Sequence, residues 1–578
     1  MHRPVVRKAI NLDGLMVDPI VRLHYVELPP LELGEDQSDL RLVQEALRDD
    51  WGLATVGITL PALVALQPAI AEGKRSVTLA VHSGSRITGV WPGLVDAIYG
   101  VAVDVGSTTV AGHLCELTSG DVVASAGRMN PQIRFGEDLM SRVSYVMMNP
   151  GGEKELTATI RSALDELVGE LVEAAGVGRD DVVDVVFVGN PIMHHLVLGI
   201  DPTPLGVAPF ALATDLPVDA MAADVGIDAR FATLHALPCI AGHVGADTAG
   251  AILAEGPHRG DDMVLLIDVG TNAEIVLGNR HGLLAASSPT GPAFEGAQIS
   301  CGQRATAGAI ERVRIDPATL EPRFRVIGAE MWSDEPGFAE VTARTGVTGI
   351  CGSGIIEVIG EMFLAGIIDH EGSIRGEAAE RSPRIVADGR TYSYVLHQRS
   401  ASAADISEPD SFDAGGSAVS DEAGHDLRIT QNDVRAIQLA KGALYAGCRL
   451  LMEHAGVETV DEVRLAGAFG SHIEPVYALL LGLIPDCDPG RVRAVGNAAG
   501  SGAARALLSA DARAEIARVA RQVTKIETAI EPRFQEHFVE AMGIPHATDP
   551  YSQLATVVQL PTRQAAAERP GRSRRRPR

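Results

Sequence analysis

Two short stretches, Val101-Ala-Val-Asp-Val-Gly-Ser-Thr-Thr109 and Leu265-Leu-Ile-Asp-Val-Gly-Thr-Asn272, decide how this chain is expected to fold. Each is an apolar, largely β-branched run that ends in an Asp, a Gly and residues with hydroxyl or amide side chains. The apolar run predicts a strand, and the Gly lets the following turn bring its backbone N–H groups close to a ligand. Such a turn is suited to phosphate, and the Asp at the strand end adds a carboxylate that can hold a hydrated Mg²⁺.

The two stretches lie 164 positions apart (268 minus 104), and each continues into a second apolar stretch, at 110–114 and 273–277. This repetition predicts two related subdomains that face one nucleotide. No Gly-Lys-Ser/Thr signature of a P-loop occurs in the sequence. Either turn alone could be an ordinary β-turn in which Asp and Gly serve turn geometry. Their repetition favours phosphate binding.

Two glycine-rich segments follow further along the chain. VRLAGAFGS (residues 463–471) predicts a strand and a close-approach turn, where missing side chains leave room for a purine or a ribose. VGNAAGSGAA (residues 495–504) leads into a helix of small residues. In their order, the four segments resemble the phosphate-one, phosphate-two, adenosine and second connecting motifs of the acetate and sugar kinase, Hsp70 and actin superfamily. The resemblance implies an α/β fold with a duplicated ribonuclease H-like (actin/Hsp70-type) ATPase core.

Other stretches resemble a narrower family, the reductive activators of corrinoid proteins. They are NPQIRFGED (130–138), VGNPIMHH (188–195), SSPTGPAFEG (287–296), ISCG (299–302) and TGICGSG (348–354). The similarity runs from about residue 17 to about residue 545. It implies a linker (1–37), a small middle α+β domain (38–97) and an ATP-binding domain in two subdomains (98–545). Composition adds two expectations: an insertion loop at about 399–426, rich in Ser, Ala, Asp and Gly, and a basic tail (546–578) that is disordered at its end.

The resemblance to the superfamily also implies roles for single residues. Asp104 and Asp268 are expected to hold Mg²⁺ and its waters, and Asp247 to position a water or the metal; these three are the candidate catalytic residues. The phosphates of ATP are expected to contact Gly106, Ser107, Thr108, Thr109, Gly270, Thr271 and Asn272. The nucleoside is expected to contact Gly467, Ala468, Phe469, Gly470 and Asn497.

Cysteine spacing separates this chain from the family plan, in which an N-terminal ferredoxin-like domain carries a 2Fe-2S cluster. The six cysteines are Cys115, Cys239, Cys301, Cys351, Cys448 and Cys487, and the closest pair is 39 residues apart (487 minus 448). This spacing fits neither a 2Fe-2S site nor a zinc site, so we expect scattered, buried thiols and no Fe-S cluster. The chain begins where the ferredoxin domain would already have ended. The electron donor is therefore expected to be a separate polypeptide or a missing N-terminal domain.

Charge and apolar periodicity set further expectations. A formal net charge of -26 argues against nucleic acid and anionic membranes as partners. No apolar run reaches the ~18 residues of a membrane span, so a cytoplasmic protein is expected. Periodicity predicts a helix starting at Ser38, two strands near 77–91 and a helix over 156–175. The adjacent His194 and His195 point about 100° apart on a helix and are not expected to share a metal.

The family resemblance predicts ATP-dependent reduction of a corrinoid protein from Co(II) to Co(I) in support of methyl transfer. The implied partners are the corrinoid protein of a methyltransferase system and a ferredoxin-like electron donor. Two alternatives stay open: a small-molecule kinase of the same superfamily, and a chaperone-like binding module that ATP switches. The sequence also leaves open which corrinoid protein is served and whether the chain forms a homodimer.

Overall fold

The computed structural model describes residues 10–30, 37–136, 138–270, 272–398, 426–470 and 473–562. The chain divides into two compact units. The first comprises Met1–Pro289, Gly447–His472 and Arg491–Phe534, and the second Thr290–Ala446, Ile473–Gly490 and Gln535–Arg578. The predicted insertion loop, except its last residue, and the basic end of the tail lie outside the described residues.

The first unit begins with a four-stranded sheet in the order β1-β3-β4-β2. Ser38 caps the first helix, because its side chain accepts a hydrogen bond from the Arg41 backbone N–H. The predicted helix at Ser38 and the two strands near 77–91 are confirmed. The elements are β1 (Val21–Glu27), α1 (Asp39–Trp51), β2 (Gly57–Ile58), α2 (Leu60–Glu72), β3 (Ser76–His82) and β4 (Arg86–Pro92).

The next sheet of the first unit has six strands in the order β7-β6-β5-β8-β10-β9. Its members and the helices between them are β5 (Tyr99–Val105), β6 (Thr109–Glu116), β7 (Val122–Met129), α3 (Leu139–Met148), α4 (Gly152–Ala175), β8 (Val182–Gly189), α5 (Pro191–Leu198), β9 (Val218–Met221) and β10 (Thr233–Ala236). β5, β6 and β7 form an antiparallel meander, and β8 runs parallel to β5. The continuous apolar runs of β5 and β8 are buried, as expected of central strands. The helix predicted over 156–175 is confirmed within α4.

A helix and a second meander complete this part of the first unit. They are α6 (Ala246–Glu255), β11 (Val264–Val269), β12 (Ala273–Asn279) and β13 (Gly282–Ser288). β11 pairs antiparallel with β12, and β12 with β13. This meander repeats the β5-β6-β7 arrangement.

The second unit contains two three-stranded sheets, β15-β14-β16 and β17-β18-β19. The elements from this part of the chain are β14 (Ala309–Ile315), β15 (Pro322–Val326), α7 (Phe338–Thr342), β16 (Gly349–Ile350), α8 (Gly352–Leu364), β17 (Ile385–Asp388), β18 (Thr391–His397), β19 (Leu427–Thr430) and α9 (Gln431–Ala455). α8 packs against β14. The last residues of α9 belong to the first unit.

The remaining segments complete both units. They are β20 (Glu462–Ala466), α10 (Gly467–Gly470), α11 (Pro475–Leu481), β21 (Val492–Gly496), α12 (Ala498–Leu508), α13 (Ala510–Val519), β22 (Thr524–Lys525) and α14 (Phe534–Glu540). β20 runs parallel to β11, and β21 parallel to β20. The second six-stranded sheet therefore has the order β21-β20-β11-β12-β13-β22.

The two six-stranded sheets share one topology. In each, an antiparallel meander is followed by two strands that lie parallel to its first strand, as β7-β6-β5-β8-β10 and β13-β12-β11-β20-β21. This duplication confirms the predicted ribonuclease H-like core in an α/β fold. In the described ranges, no helix has the length and apolar character needed to cross a membrane. The predicted domain boundaries stay a prediction.

Candidate functional site

The first predicted phosphate turn joins β5 to β6. Val105 pairs with Val110, and within the turn the Gly106 N–H donates to the Thr109 carbonyl over 3.1 Å. A Cβ at Gly106 would lie 2.6 Å from that carbonyl oxygen, so only glycine fits without a backbone shift. Ser107, Thr108 and Thr109 remain partly exposed, whereas Asp104 on β5 is buried. The turn therefore presents its tip to solvent above a buried carboxylate.

The second turn joins β11 to β12 and is one residue shorter. Val269 pairs with Ala273, and the Gly270 N–H donates to the Asn272 carbonyl over 3.0 Å. Thr271, a predicted phosphate contact, lies outside the described residues. As in the first turn, the Asp occupies the second-to-last strand position, here Asp268.

Four carboxylates from the two sheets and α6 form one electrostatic cluster. Burial, followed by the Asp268 and Asp104 carboxylates, raises the pKa of Asp247 to about 7. Burial, followed by Asp247 and Asp268, raises the pKa of Glu274 well above its ordinary value. Because Asp104 and Asp268 both act on Asp247, the two strand ends that carry the turns lie near the same carboxylate. The structure thus brings the three predicted acidic residues together.

Asp247 owes its position to the tight start of α6 on the end of β8. A Cβ at Gly245 would lie 2.6 Å from the Asn190 Cα and 2.7 Å from the Gly189 carbonyl oxygen. The Thr248 N–H donates to Asp247 Oδ1 over 2.7 Å, which fixes the carboxylate at the first turn of the helix. This placement puts Asp247 at the carboxyl edge of the first sheet, where β5 also ends.

Glu274 is a candidate site residue that the sequence reasoning missed. It lies on β12 directly across from Asp268, and its carboxylate is 3.5 Å from the Ser287 hydroxyl. The sequence signal for Glu274 was a single acidic residue within the apolar part of a strand, directly after the second predicted phosphate turn. Two facing carboxylates in an antiparallel pair are unfavourable by themselves. A cation bound nearby would offset the repulsion between the two carboxylates.

The carboxyl edge of the second sheet carries the predicted nucleoside residues. Ala466 pairs with Asp268 on one side and with Gly496 on the other, so Gly467 and Asn497 both follow this edge. Gly467 has φ 86°, and a Cβ there would lie 2.5 Å from Asp268 Oδ1. A Cβ at Gly470 would press on the Leu465 backbone. Contacts within the protein therefore give both positions a reason to be glycine, and their contact with a nucleoside stays a prediction. The side chains of Ala468 and Phe469 lie outside the described residues.

Asn497 is the N-cap of α12. Its Oδ1 accepts from the Gly500 N–H over 3.0 Å, while its buried Nδ2 has no hydrogen-bond partner among the described residues. A buried donor without an acceptor is costly. The Asn497 amide is therefore suited to donate to a ligand at this edge.

The acidic cluster fits the chemistry of Mg²⁺. Among the described residues, no three His, Cys, Asp or Glu side chains are grouped closely enough to hold a metal ion on their own. Mg²⁺ is usually held by one or two carboxylates together with waters and substrate phosphates. Asp104 and Asp268, each beside a phosphate-type turn, fit that mode, and crowding among the four carboxylates favours a bound cation.

The adjacent histidines and most of the cysteines are buried, and one thiol, that of Cys239, lies near the acidic cluster: burial and then the Asp247 carboxylate raise its pKa. His194 and His195 are both buried in α5, where burial lowers the pKa of His194 to about 4 and His195 Nε2 accepts from the Ala213 N–H. Five of the six cysteines are buried as predicted. Cys301 differs, because it is partly exposed and its thiol donates to the Arg428 carbonyl over 3.1 Å.

Comparison with known proteins places nearly the whole described chain in one family. Residues 12–97 match the RACo linker region, residues 99–260 the RACo middle region, and residues 262–411 and 414–555 the C-terminal domain of RACo, the ASKHA domain. ASKHA denotes the acetate and sugar kinase, Hsp70 and actin superfamily. The family models therefore include both phosphate-type turns and all four carboxylates.

Individual relatives agree with this assignment. The chain is 35% identical over 466 residues to the corrinoid activation enzyme RamQ of Eubacterium limosum, covering 79% of this chain and 73% of RamQ. It is 26% identical over 257 residues to a [Co(II) methylated amine-specific corrinoid protein] reductase of Methanosarcina barkeri, covering 43% and 39% of the two chains. A solved structure of a reductive activator for a corrinoid, iron-sulfur protein matches with a TM-score of 0.77 and 30% identity, covering 93% of this chain and 81% of that one. The chain therefore belongs to the RACo family, the reductive activators of corrinoid proteins.

Proposed function

We propose that this protein uses ATP and Mg²⁺ to drive the reduction of a corrinoid protein from Co(II) to Co(I), in support of methyl transfer. The observation that carries the proposal is the shared acidic cluster between two phosphate-type turns, in a chain of the RACo family. Each cobalt takes up one electron, and a ferredoxin-like protein is the proposed donor. We further propose that the protein works in the cytoplasm.

Each part of the site has a proposed task. Asp104 and Asp268 hold the hydrated metal ion, which neutralises the polyphosphate when it is bound. The backbone N–H groups of the two turns bind the phosphates, and the Asn497 amide donates to the nucleoside. Asp247, whose Oδ1 accepts from the Thr248 N–H at the start of α6, orients the water that attacks the terminal phosphate.

Energy coupling is proposed to arise from the nucleotide site. Because the two turns belong to different sheets, a nucleotide held by both draws the sheets together, and hydrolysis releases that hold. A partner that binds one arrangement better than the other receives the free energy of this change. The six cysteines do not have the spacing of a cluster, which supports a donor other than these residues.

The experiment is an anaerobic assay with purified protein, a Co(II) corrinoid protein, a reduced ferredoxin and Mg·ATP. We expect the corrinoid spectrum to change to that of Co(I) only when ATP is present, and slow basal ATP hydrolysis to rise when the Co(II) protein is added. No phosphorylated product is expected from a screen of small alcohols, sugars and carboxylates. Stoichiometric phosphorylation of one compound would favour the kinase alternative, and ATP-dependent partner binding without reduction would favour the switch alternative.

A further inference from the structure

Two of the stretches that resemble the corrinoid-activator family, 130–138 and 188–195, meet next to the first predicted phosphate turn, which joins β5 to β6. The Asn130 side-chain amide donates to the Gly106 carbonyl over 2.8 Å, and the Asn130 backbone N–H donates to the Thr108 carbonyl over 2.9 Å. From the other stretch, Met193 on α5 brings its sulfur to 3.1 Å from Arg142 Nη1. Hydrogen bonds from residues outside the proposed nucleotide site therefore hold this turn in place.

Arg142 on α3 is the charged member of this support. Its side chain is fully buried, and its Nη2 donates to the Ser107 carbonyl at the tip of the turn. Its other acceptors are Gln132 Oε1 at 3.3 Å and the Gly136 carbonyl at 3.1 Å. All these acceptors are uncharged.

No carboxylate in the described part of the chain lies within ion-pair distance of Arg142. Asp138 raises its pKa from a distance, but the Asp138 side chain is committed to capping α3, where it accepts from the Ser141 N–H over 2.7 Å. Burial lowers the pKa of Arg142 to about 10, so the guanidinium stays charged at neutral pH. A buried charge without a counter-ion is costly, and here the counter-ion is missing from the described protein.

The position of Arg142 indicates which anion supplies that charge. A cation bound to the Ser107 carbonyl polarises the Ser107–Thr108 peptide, whose N–H belongs to the phosphate-type turn, and strengthens that N–H as a donor. We propose that Arg142 is a positioning residue that acts through this peptide and supplies counter-charge to the polyphosphate of the nucleotide. The inference rests on the proposed function, because it requires ATP at the first turn.

The test compares a ligand that carries the polyphosphate with one that lacks it. We would measure Kd for Mg·ATP and for adenosine with wild type, Arg142→Gln and the control Arg134→Gln, whose exposed side chain lies in the stretch 130–138, before α3. For Arg142→Gln we expect Kd for Mg·ATP to rise at least about tenfold and Kd for adenosine to stay within about threefold. Arg134→Gln should leave both constants unchanged. A purely structural role for Arg142 would weaken both ligands together.

The outcomes separate this inference from the proposed function. Wild-type protein that binds no ATP contradicts the proposed function and this inference with it. The inference alone is contradicted if wild-type protein binds ATP but Arg142→Gln leaves the ratio of Kd for Mg·ATP to Kd for adenosine unchanged. If Arg142→Gln does not fold, Arg142→Lys decides. This variant retains the charge, so its ratio of Kd for Mg·ATP to Kd for adenosine should stay within about threefold of wild type. A tenfold rise in that ratio would overturn the proposal.

Discussion

At the scale of single residues, Asp268 links the parts of the proposed nucleotide site. It faces Glu274 across the strand pair, its Oδ1 fills the space beside Gly467, and its charge helps to raise the pKa of Asp247. We predict that Asp268→Asn lowers ATP turnover about 100-fold or more, since it removes a charge that the metal ion requires, while the circular dichroism spectrum is unchanged. Asp104→Asn should have the same effect.

Asp262→Asn is the matched control for this prediction. Asp262 is exposed and lies just before β11, the strand that carries Asp268. It should turn over ATP at the wild-type rate. Wild-type turnover in Asp268→Asn would contradict the assignment of the metal site.

Gly467 and Gly456 allow backbone strain to be separated from contact with the site. Both have positive φ, 86° and 68°, but a Cβ at Gly456 would meet nothing within 4 Å, whereas one at Gly467 would lie 2.5 Å from Asp268 Oδ1. We predict that Gly456→Ala lowers the free energy of unfolding by about 1–2 kcal/mol and leaves ATP affinity unchanged. Gly467→Ala should additionally displace the Asp268 carboxylate and weaken Mg·ATP binding about tenfold, measured by calorimetry. Equal Mg·ATP affinity in the two variants would show that the contact between the new Cβ and Asp268 Oδ1 does not affect nucleotide binding.

At the scale of elements, the crossing of α6 and α12 depends on two glycines. A Cβ at Gly502 would lie 2.0 Å from the Gly250 carbonyl oxygen, and a Cβ at Gly250 would lie 2.8 Å from the Ala499 carbonyl oxygen. Asp247 lies in the first turn of α6, and Asn497 is the N-cap of α12. The crossing of these helices therefore fixes the positions of Asp247 and Asn497 relative to each other. Helices can approach this closely only where side chains are missing.

We predict that Gly502→Ala forces the two helices apart and lowers the free energy of unfolding by about 1–3 kcal/mol, the usual cost of overpacking. ATP turnover should fall with it, because Asp247 and Asn497 move with their helices. Gly169→Ala in α4 is the control, since an added Cβ there would meet only the end of the Arg179 side chain, which would have to give up its hydrogen bond to the Asp165 carbonyl. That change should be close to neutral, because the preference of a helix for Ala over Gly, about 1 kcal/mol, offsets the loss of that bond. Urea unfolding compares the two; a Gly502→Ala midpoint no lower than that of Gly169→Ala would exclude a tight crossing.

At the scale of the whole molecule, the start of the described chain packs on α12 and the start of α13, which follow β21. The Asn11 N–H donates to Ser501 Oγ over 3.0 Å, the Asp18 N–H to the Leu508 carbonyl over 2.8 Å, and the Ala510 N–H to the Asp18 carbonyl over 2.8 Å. The first two bonds join positions 490 residues apart (501 minus 11, 508 minus 18), and the third joins positions 492 apart (510 minus 18). The N-terminal segment thus supports α12, which carries the Asn497 cap.

Removal of residues 1–18 is therefore predicted to loosen α12. Hydrogen exchange of the α12 amides should accelerate about tenfold or more, because the supporting bonds and the packing of Ile10, Leu12 and Leu15 are lost. Exchange in α4 should not change. Met16→Ser is the control, since Met16 is 82% exposed. Unchanged exchange in α12 after the truncation would contradict a supporting role.

Much of the fold was predictable because its signals are local. The strands that end at Asp104 and Asp268 are continuous apolar runs, and Ser38 marks a helix start by its side-chain chemistry. The repeated Asp-Val-Gly motif predicted that the sheet containing it is duplicated. Domain boundaries and the roles of single site residues stay predictions, because they depend on ligands and on contacts that local patterns do not encode.

The sequence by itself determined the α/β class, the duplicated core, the family and the two phosphate-type turns, since each is written in a short run of residues. Only the tertiary structure decided that Glu274 faces Asp268, that Gly467 is required by a carboxylate, and that Arg142 reaches the Ser107 carbonyl. The physical reason is distance along the chain. Strand register, helix crossing and the burial of a charge are set by segments tens to hundreds of residues apart, and their energies exist only once those segments are packed together.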